Sequence, residues 1–227
     1  MAEPRATKDR IFEQFARIGH AVASPKRLEL LDLLCQSEKS VETLANQAAL
    51  SVANTSRHLQ ILRAARLVDA RKAGLYVFYR LADAEVCSFF RSLRQMAASR
   101  LAEIDLIVRD YFDDPRRLRA VDKRKLLRRA KAGEVIILDV RPKDEYIAGH
   151  IPYARSIPLT DLKKHLEQFS PDQEIVAYCR GPYCVLAQEA MNVLRPKGFK
   201  AVRLEDGINE WREAGLPVAV NESTIEK

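Results

Sequence analysis

Apolar residues near the N-terminus recur every three or four positions, which is the spacing of one buried face of a helix. Ile11, Phe15 and Ile18 mark a first helix, Leu28, Leu31, Leu34 and Cys35 a second, and the third and fourth cover 41–48 and 52–65. Ser40 stands directly before the third helix, where its hydroxyl is suited to cap the free backbone N–H groups. The pattern predicts a mainly α-helical N-terminal region.

Two short segments that alternate between apolar and polar residues follow these helices. The segments 67–70 and 75–81 predict the strands of a hairpin, joined through Arg71-Lys72-Ala73-Gly74. Gly74 supplies the turn, and the basic pair is expected at its tip. Helix, turn, helix and hairpin in this order predict a winged helix-turn-helix, whose second helix enters the major groove while the wing contacts phosphates. The alternative is a solvated helix beside an ordinary hairpin.

The fourth predicted helix has two different faces. Val52, Thr55, Leu59 and Leu62 are expected to face the core. Short polar residues cluster at the N-terminal end of the helix, as direct base recognition requires. The expected DNA-contacting residues of the helix and the wing are Ser51, Asn54, Thr55, Ser56, Arg57, His58, Arg71 and Lys72.

A pair of cysteines brackets the segment Cys179-Arg180-Gly181-Pro182-Tyr183-Cys184, between a predicted strand, 175–178, and a predicted helix, 185–194. Backbone N–H groups gathered at a helix start stabilise a thiolate, here expected at Cys179. Gly181 permits unusual dihedrals, Pro182 suits a first helical turn, and Arg180 adds a positive charge. The alternatives are two buried, inert cysteines and a zinc site, for which the spacing is too long.

Charge and cysteine content add to this picture. The chain has four cysteines, and it has neither an apolar signal segment nor a run of eighteen apolar residues. We therefore expect a cytoplasmic protein with mostly reduced thiols and no membrane partner. The net charge of +7 is concentrated in 116–131, which has nine basic residues and one acidic residue. The basic residues are Arg116, Arg117, Arg119, Lys123, Arg124, Lys125, Arg128, Arg129 and Lys131.

The organisation predicts two domains. A winged helix-turn-helix over 1–114 would be followed by a basic linker or helix over 115–131, an α/β domain over 132–220 and a tail over 221–227, with a hinge near Asp113-Asp114-Pro115. The basic segment either extends the contact with phosphates or is a solvated helix that packs Leu126 and Leu127 on the second domain. Both can hold, because only one side of such a helix needs burial.

The N-terminal half resembles the ArsR family of bacterial repressors over about Asp9 to Ala98. The resemblance is carried by Ser24-Pro25-Lys26-Arg27-Leu28, Leu44-Ala45, Ser51, Ser56-Arg57-His58-Leu59, Leu67-Val68 and Gly74-Leu75-Tyr76-Val77-Phe78-Tyr79-Arg80-Leu81. It implies a homodimer, paired through the first and last helices, that reads palindromic double-stranded operator DNA. An apolar stripe in the last predicted helix, Asp83 to Tyr111, agrees with this and comprises Phe89, Phe90, Leu93, Met96 and Leu101.

Many members of that family sense metals, but their ligand positions do not match here. The segment 39–44 contains no cysteine, and the last predicted helix contains no histidine. We expect neither a metal nor a cofactor. Cys35 lies where persulfide-sensing relatives keep one of two thiols, whereas Cys87 lies at the start of the last helix instead of far along it. Cys35 is therefore expected in the core and Cys87 in interface packing.

The C-terminal half resembles the rhodanese (sulfurtransferase) homology domain over about Asp122 to Val220. The matching segments are 136–141, Glu145-Tyr146, 149–154, Ile157-Pro158-Leu159, the Cys179 loop, Asp206-Gly207-Ile208, Trp211 and 215–218. The resemblance implies a parallel α/β sheet wrapped by helices, in which Cys179 takes up a sulfane sulfur as a persulfide. Asp139, Arg141, Glu145 and His150 resemble scaffold residues that tie the loop to the sheet.

One position departs from that family. Thiosulfate-using members commonly have a basic residue at the end of the loop, where this chain has Cys184. Cys184 either resolves a Cys179 persulfide into a disulfide, with release of sulfide, or simply packs in the first turn of the helix.

We therefore expect a dimeric DNA-binding regulator, repressing in its resting state, that responds to polysulfide, persulfide or thiosulfate through Cys179 and Cys184. One alternative is a sulfurtransferase whose helix-turn-helix serves only dimerisation or targeting. Another is a repressor that senses through Cys35.

Overall fold

The computed structural model describes residues 3–112 and 122–220, and the chain divides into two compact units, Met1–Arg100 and Leu101–Lys227. We call these the N-terminal unit and the C-terminal unit. The expected hinge at Asp113-Asp114-Pro115, the basic residues Arg116, Arg117 and Arg119 and the expected tail lie outside the described residues.

The N-terminal unit is a winged helix-turn-helix. In chain order its elements are α1 (Pro4–Val22), α2 (Pro25–Leu34), β1 (Lys39–Ser40), α3 (Val41–Gln47), α4 (Val52–Ala64), β2 (Val68–Ala73), β3 (Tyr76–Leu81) and α5 (Ala84–Arg100). The strands form an antiparallel sheet in the order β1-β3-β2. Ser40 accepts a hydrogen bond from the backbone N–H of Thr43 at 3.2 Å, which confirms the predicted cap. Leu30, Leu31, Leu44, Leu59 and Leu62 form the centre of the core.

The tip of the wing differs from the prediction. Ala73 pairs with Tyr76, so the turn consists of Gly74 and Leu75, and the basic pair Arg71 and Lys72 lies inside β2. Gly74 has a φ of 59°, which lets the chain reverse within two residues and keeps both strands paired to their ends. The prediction that the basic pair forms the tip was therefore wrong.

The last predicted helix is interrupted. The segment expected as one helix from Asp83 to Tyr111 forms α5 and a separate α6 (Ala102–Tyr111), and Leu101 between them is extended, with φ −109° and ψ 98°. Neither glycine nor proline adjoins Leu101, so the sequence carries no signal for the break. The division between the two compact units falls at the same place.

The remaining elements of the C-terminal unit build a parallel α/β fold. After α6 they are α7 (Lys123–Lys131), β4 (Val135–Asp139), α8 (Lys143–Ala148), β5 (Arg155–Ser156), α9 (Leu159–Leu162), β6 (Glu174–Tyr178), α10 (Val185–Leu194), β7 (Lys200–Arg203) and α11 (Ile208–Glu213), with 3₁₀ turns at Lys163–Gln168 and Arg195–Lys197. The parallel sheet has the order β5-β4-β6-β7. One core cluster contains Met191 and Leu194, and another contains Leu126 and Trp211.

The basic helix α7 belongs to this fold. Leu126 is buried in the second core cluster, and Leu127 packs against the same cluster. Lys123 forms an ion pair with Asp206 at 2.7 Å, and Arg129 forms one with Glu174 at 2.8 Å. Two roles were considered for the basic segment. The structure shows the first, the packing of α7 on the C-terminal unit, while the second, contact with phosphates, stays a prediction.

Candidate functional site

The cysteine loop connects the end of β6 to the start of α10. Cys179 directly follows the strand and is only 2% exposed, whereas Cys184 directly precedes the helix and is partly exposed. Gly181 has a φ of 152°, and its carbonyl accepts a hydrogen bond from the Cys184 N–H at 3.1 Å. The predicted strand, loop and helix are confirmed, and the two thiols lie at opposite ends of one short curl.

Arg180 anchors this loop to the body of the unit. Its Nε lies 3.1 and 3.0 Å from the two carboxylate oxygens of Glu145, and its Nη2 lies 2.7 Å from one of them. The Glu145 side chain is fully buried, and that of Arg180 is 13% exposed. Bidentate pairs of this kind fix geometry as well as charge. The positive charge expected beside the sulfur is therefore fixed in place by its pairing with Glu145.

A buried polar network supports the strand ends beneath the loop. Tyr178 donates to Asp139 at 2.5 Å, and Arg141 pairs with the same carboxylate at 2.6 Å. Arg141 also donates to the Gly149 carbonyl at 2.7 Å, and the Ile151 N–H donates to the Tyr178 oxygen at 3.1 Å. Burial raises the pKa of Tyr178 well above its usual value. These contacts match the scaffold role expected for Asp139 and Arg141.

The pKa values of the two thiols shift in opposite directions. Burial raises the pKa of Cys179, whose thiol also points to the Cys184 carbonyl oxygen at 3.4 Å. A hydrogen bond from Cys179, the Arg180 charge and the backbone N–H groups of Arg180 and Leu186 together lower the pKa of Cys184 to about 7, against the opposing effect of burial. The sequence predicted the stabilised thiolate at Cys179. Burial at the strand end opposes a thiolate at Cys179 more strongly than the backbone donors there favour one, and the assignment of the reactive thiolate to Cys179 stays a prediction.

Two residues to which the sequence analysis gave no role hold the loop from the other side. A Cβ on Gly207 would lie 2.2 Å from the Arg180 carbonyl oxygen and 2.7 Å from the Gly181 nitrogen, so only glycine fits. Arg203, at the end of β7, is 2% exposed and donates to the Pro182 carbonyl at 3.1 Å. Gly207 lies within a segment that resembles the rhodanese domain, but Arg203 carries no sequence signal.

Arg203 also connects the loop to the end of α6. Its guanidinium lies over the Phe112 ring, 4.5 Å from the ring centre, and Phe112 is 7% exposed. Next to it, Tyr111 donates to the Glu189 carboxylate of α10 at 2.5 Å, and this hydrogen bond raises the pKa of Tyr111. The residues that end α6 therefore touch both the helix that follows the cysteine loop and the arginine that binds the loop.

The predicted DNA-contacting residues of α4 separate into surface and core. Ser51, Asn54 and Arg57 are exposed, and the Ser51 hydroxyl caps the helix by accepting from the Asn54 N–H at 3.2 Å. Thr55 is fully buried and donates to the Ser51 carbonyl at 3.0 Å. Thr55 is therefore a core residue, which confirms its place on the predicted core face of the helix, and its assignment as a DNA contact was wrong. Val52, expected in the core, is 49% exposed.

Ser56 and His58 are partly buried. His58 Nδ1 is buried and has no hydrogen-bond partner among the described residues. Burial lowers the pKa of His58, and the nearby charges of Arg27 and Arg57 lower it further. Burial and the two arginines thus both favour the neutral form of His58.

The basic residues of the wing have different surroundings. Arg71 forms a bidentate ion pair with Glu38, with its Nε at 3.0 and 2.9 Å from the two carboxylate oxygens, and its guanidinium lies 4.8 Å from the Phe78 ring centre. The hydrogen bond to Glu38 raises the pKa of Arg71. Lys72, next along β2, is exposed. Lys72 is consequently the stronger candidate for contact with phosphates.

The remaining two cysteines form a disulfide. Cys35 ends α2, Cys87 lies in the first turn of α5, and their Cα atoms are 5.6 Å apart although 52 positions separate them in the chain. This differs from the expectations that the thiols are mostly reduced and that Cys87 lies in interface packing, since these two of the four cysteines are bonded to each other. The pairing follows from tertiary structure, since α2 and α5 pack together in the core of the N-terminal unit.

Large apolar side chains are exposed on α1 and α5. Phe12 and Phe15 are 59% and 63% exposed, and Phe89 and Met96 are 41% and 58% exposed. Phe90, by contrast, is buried in the core of the unit. Apolar side chains clustered on a surface mark interaction sites.

Over 3–112 and 122–220, no cluster of three or more His, Cys, Asp or Glu side chains is arranged to hold a metal ion. Within the same ranges, every helix is too short or too polar to cross a membrane.

Comparisons with known proteins agree with this architecture. A model described as the bacterial regulatory protein, arsR family, matches residues 24–70, and a rhodanese-like domain model matches residues 122–214. The HTH-type transcriptional regulator Rv0324 of Mycobacterium tuberculosis is 42% identical over 218 residues, which is 96% of each chain. The transcriptional repressor SmtB homolog of Synechocystis is 38% identical over 81 residues, covering 36% of this chain and 61% of that protein.

A solved structure resembles the N-terminal unit. It is the homodimeric winged helix-turn-helix DNA-binding domain Mb0332 from Mycobacterium bovis, 36% identical, covering 44% of this chain and 94% of that one at a TM-score of 0.41. The family models lie on the two units that carry the helix-turn-helix and the cysteine loop, and the 42% identity to Rv0324 runs through both. The chain therefore belongs to the ArsR family of transcriptional regulators, in a form that carries a C-terminal rhodanese domain.

Proposed function

We propose that this regulator is a homodimeric repressor that leaves its operator DNA when sulfane sulfur reacts at Cys179 and Cys184. The observation that carries the proposal is the contact of Arg203 with both the Pro182 carbonyl and the Phe112 ring. It gives a chemical event in the loop a direct structural connection to α6, which follows α5 along the chain.

The chemistry of the loop suits such a signal. A sulfane donor converts one thiol into a persulfide, and the second thiol then displaces sulfide and leaves a disulfide. Polysulfide and low-molecular-weight persulfides are the preferred donors. Thiosulfate is a dianion, and the position that is basic in thiosulfate-using relatives is Cys184 here.

Two contacts connect the cysteine loop and α10 to the end of α6. Joining Cys179 to Cys184 closes the curl and displaces the Pro182 carbonyl that Arg203 binds at 3.1 Å. Glu189 lies on α10, and its hydrogen bond with Tyr111 makes the end of α6 follow any shift of that helix. A coupling free energy of about 1–3 kcal/mol between two states changes affinity by roughly 5- to 150-fold.

The N-terminal unit supplies the dimer and the DNA contacts. Exposed Phe12 and Phe15 on α1 and Phe89 and Met96 on α5 form the proposed dimer surface, through the first helix and the helix that follows the wing. Asn54 and Arg57 on α4 and Lys72 on β2 are exposed and provide the proposed contacts to bases and phosphates. A relative over this region is named a transcriptional repressor, which supports repression in the resting state.

The test is a DNA-binding titration on the regulator's own upstream region, with and without polysulfide. Wild-type protein should be released by polysulfide, whereas Cys179→Ser and Cys184→Ser should both stay bound, since neither can form the disulfide. Arg203→Met should still load sulfur but lose most of the release. Lys200→Met, an exposed change on the same strand β7, is the matched control. Release of the Cys179→Ser and Cys184→Ser variants at the wild-type donor concentration would refute the assignment.

The Cys35–Cys87 disulfide favours a second candidate function, a repressor that senses through Cys35. It joins α2 to α5, so its reduction would loosen α5 at the proposed dimer surface. Cys35→Ser separates the two candidates. If this variant no longer responds to polysulfide while Cys179→Ser does, the N-terminal disulfide is the sensor.

A sulfurtransferase that uses its helix-turn-helix only for dimerisation or targeting predicts different results. Such a protein would turn over thiosulfate with an acceptor thiol, and Arg57→Ala would leave its behaviour unchanged. The exposed polar end of α4 and the replacement of a basic loop residue by Cys184 argue against this alternative.

A further inference from the structure

We propose that Glu38 withholds the wing cation Arg71 from DNA, so that Lys72 and not Arg71 supplies the phosphate contact of β2. The inference concerns DNA binding alone and goes beyond the proposed function, because it holds whether or not sulfur controls release. Glu38 is a positioning residue in this arrangement, since it acts on DNA only through the arginine that it binds.

The two basic residues of the wing lie on opposite faces of the hairpin. Successive side chains of a strand alternate between faces, and residues directly opposite on neighbouring strands share a face. Ala70 lies opposite Tyr79, which is buried in the core of the N-terminal unit, whereas Arg71 lies opposite Phe78 on the outer face. Lys72 shares the face of Ala70. The two neighbours in the sequence therefore have separate surroundings.

On the outer face, the Arg71 side chain crosses the central strand of the sheet. Phe78 on β3 lies between Ser40 on β1 and Arg71 on β2 in the register of the strands. The Arg71 guanidinium lies over the Phe78 ring, 4.8 Å from its centre, and pairs with Glu38, which directly precedes β1. The side chain thus spans the sheet from one edge strand to the other.

Glu38 occupies the edge of the guanidinium that a phosphate also uses. The Nε of Arg71 lies 3.0 and 2.9 Å from the two carboxylate oxygens, and Nη2 binds one of them as well. Arginine binds phosphate through the same bidentate fork. The bidentate geometry and the ring beneath it make this pair stronger than an ordinary surface ion pair. A phosphate must therefore displace a carboxylate that is already held in place.

The charge balance leads to the same result. The ion pair as a whole has no net charge, so an approaching phosphate is attracted by Arg71 and repelled by Glu38. DNA releases counterions where protein cations neutralise phosphates, and each such contact adds about 0.9 to the slope of log affinity against log salt. Arg71 should add nothing to this slope while Glu38 binds it, whereas the exposed Lys72 should add its full share.

The test is a double-mutant cycle on the full-length protein, with wild type, Glu38→Gln, Arg71→Ala and the variant that carries both changes. Fluorescence anisotropy measures binding to a duplex from the regulator's own upstream region and to an unrelated duplex of equal length, without polysulfide, at about 50–200 mM salt. Glu38→Gln keeps the size of the side chain and removes its charge, so that Arg71 can turn to a phosphate.

Glu38→Gln should steepen the slope by about 0.9 for each wing on the DNA, which enlarges the loss of affinity across this salt range by about 3.5-fold per wing. Both duplexes should show it, because phosphate contacts carry no sequence information. Arg71→Ala should leave the slope unchanged in the wild-type background and return it to the wild-type value in the Glu38→Gln background. Glu38→Gln with Arg71→Lys should keep the steeper slope, since lysine binds phosphate as a point charge.

Glu42→Gln is the matched control. It makes the same chemical change four positions along the chain, and Glu42 is exposed and forms no ion pair with residues 3–112 or 122–220. Its slope should stay near that of the wild type. If Glu42→Gln steepens the slope as much as Glu38→Gln does, loss of any nearby carboxylate explains the effect and the inference is wrong.

Two further outcomes would overturn the inference. One is an unchanged slope for Glu38→Gln. The other is a slope that Arg71→Ala alone flattens as much as Lys72→Ala, because Arg71 would then already contact phosphates. In both cases the proposed function stands, since it depends on Lys72 and the cysteine loop. Wild-type protein that binds neither duplex would refute the inference and the proposed function together.

Discussion

Gly207→Ala is the sharpest test of how the cysteine loop is held. The added Cβ would lie 2.2 Å from the Arg180 carbonyl oxygen, 2.3 Å from its carbon and 2.7 Å from the Gly181 nitrogen. These are backbone atoms, so no side chain can rotate away. Ordinary van der Waals contact between carbon atoms begins near about 3.5 Å, so the loop or the start of α11 must move by roughly 1 Å.

The size of the effect follows from that displacement. Forcing an extra methyl into a packed site costs about 1–3 kcal/mol. For domains between about 60 and 250 residues, 1 kcal/mol lowers the melting temperature by about 2–8 °C. The backbone at Gly207 has φ −93°, which alanine adopts without strain, so the cost measures the steric clash alone.

The displacement should also change the chemistry of Cys184. A shift of Arg180 moves away the charge and the N–H group that lower the pKa of Cys184. The midpoint of its labelling by iodoacetamide should therefore rise. A return to an ordinary pKa reduces the thiolate at pH 7 from about half to about 3%. Because a more basic thiolate is also more nucleophilic, the net rate should fall about threefold.

The assay combines thermal unfolding with iodoacetamide labelling across pH of Cys184, which trypsin places on the peptide 181–197. Gly133→Ala is the control: Gly133 has a φ of 75°, and a Cβ added there would meet nothing within 4 Å, so this change costs stability through backbone strain alone. Equal labelling profiles for Gly207→Ala and Gly133→Ala, together with an unchanged melting temperature for Gly207→Ala, would show that the close approach does not hold the loop.

Three further predictions concern DNA binding, dimerisation and the loop anchor. Arg57→Ala should remove most of the difference in affinity between operator and unrelated DNA, whereas Lys72→Ala should weaken binding to all sequences and reduce the slope of log affinity against log salt by about one; unchanged gel shifts for both would contradict the assignment of α4 and the wing. Phe12→Ser combined with Phe15→Ser should convert the dimer to monomer in sedimentation analysis without a large loss of monomer stability, because both side chains are exposed; an unchanged dimer would place the interface elsewhere. Glu145→Gln should destabilise the C-terminal unit by roughly 3 kcal/mol, since it leaves Arg180 partly buried beside a neutral amide, and unfolding at the wild-type temperature would contradict that role.

Much of the secondary structure around the loop could be predicted because the patterns there are local. An apolar run of strand length followed by helical spacing placed β6 and α10 correctly, and a serine before the third helix identified its cap. The same reasoning placed Thr55 on the core face correctly but failed at Val52, which is exposed in the first turn of the helix. The buried Thr55 hydroxyl is satisfied by its hydrogen bond to the Ser51 carbonyl.

Other features had no local signal. The break at Leu101 has neither glycine nor proline beside it, so the helical spacing of the apolar residues predicted one continuous helix. Cys35 and Cys87 are 52 positions apart and meet only because α2 packs on α5. The link through Arg203 needs the end of β7, the cysteine loop and the end of α6 to come together. Contacts of this kind depend on the complete fold, so local patterns in the sequence do not predict them.

The unequal acidity of the two thiols follows from the connection they share. A parallel strand in an α/β sheet is covered on both faces, so the residue at its end, Cys179, loses solvent and resists ionisation. The residue before a helix receives backbone N–H groups and the positive end of the helix dipole, which favours a thiolate at Cys184. A bond between Cys179 and Cys184 would draw the start of α10 towards the end of β6, because each cysteine adjoins one of these elements. Because Glu189 on α10 holds Tyr111 and Arg203 holds both the loop and Phe112, we propose that such a movement would reach the end of α6.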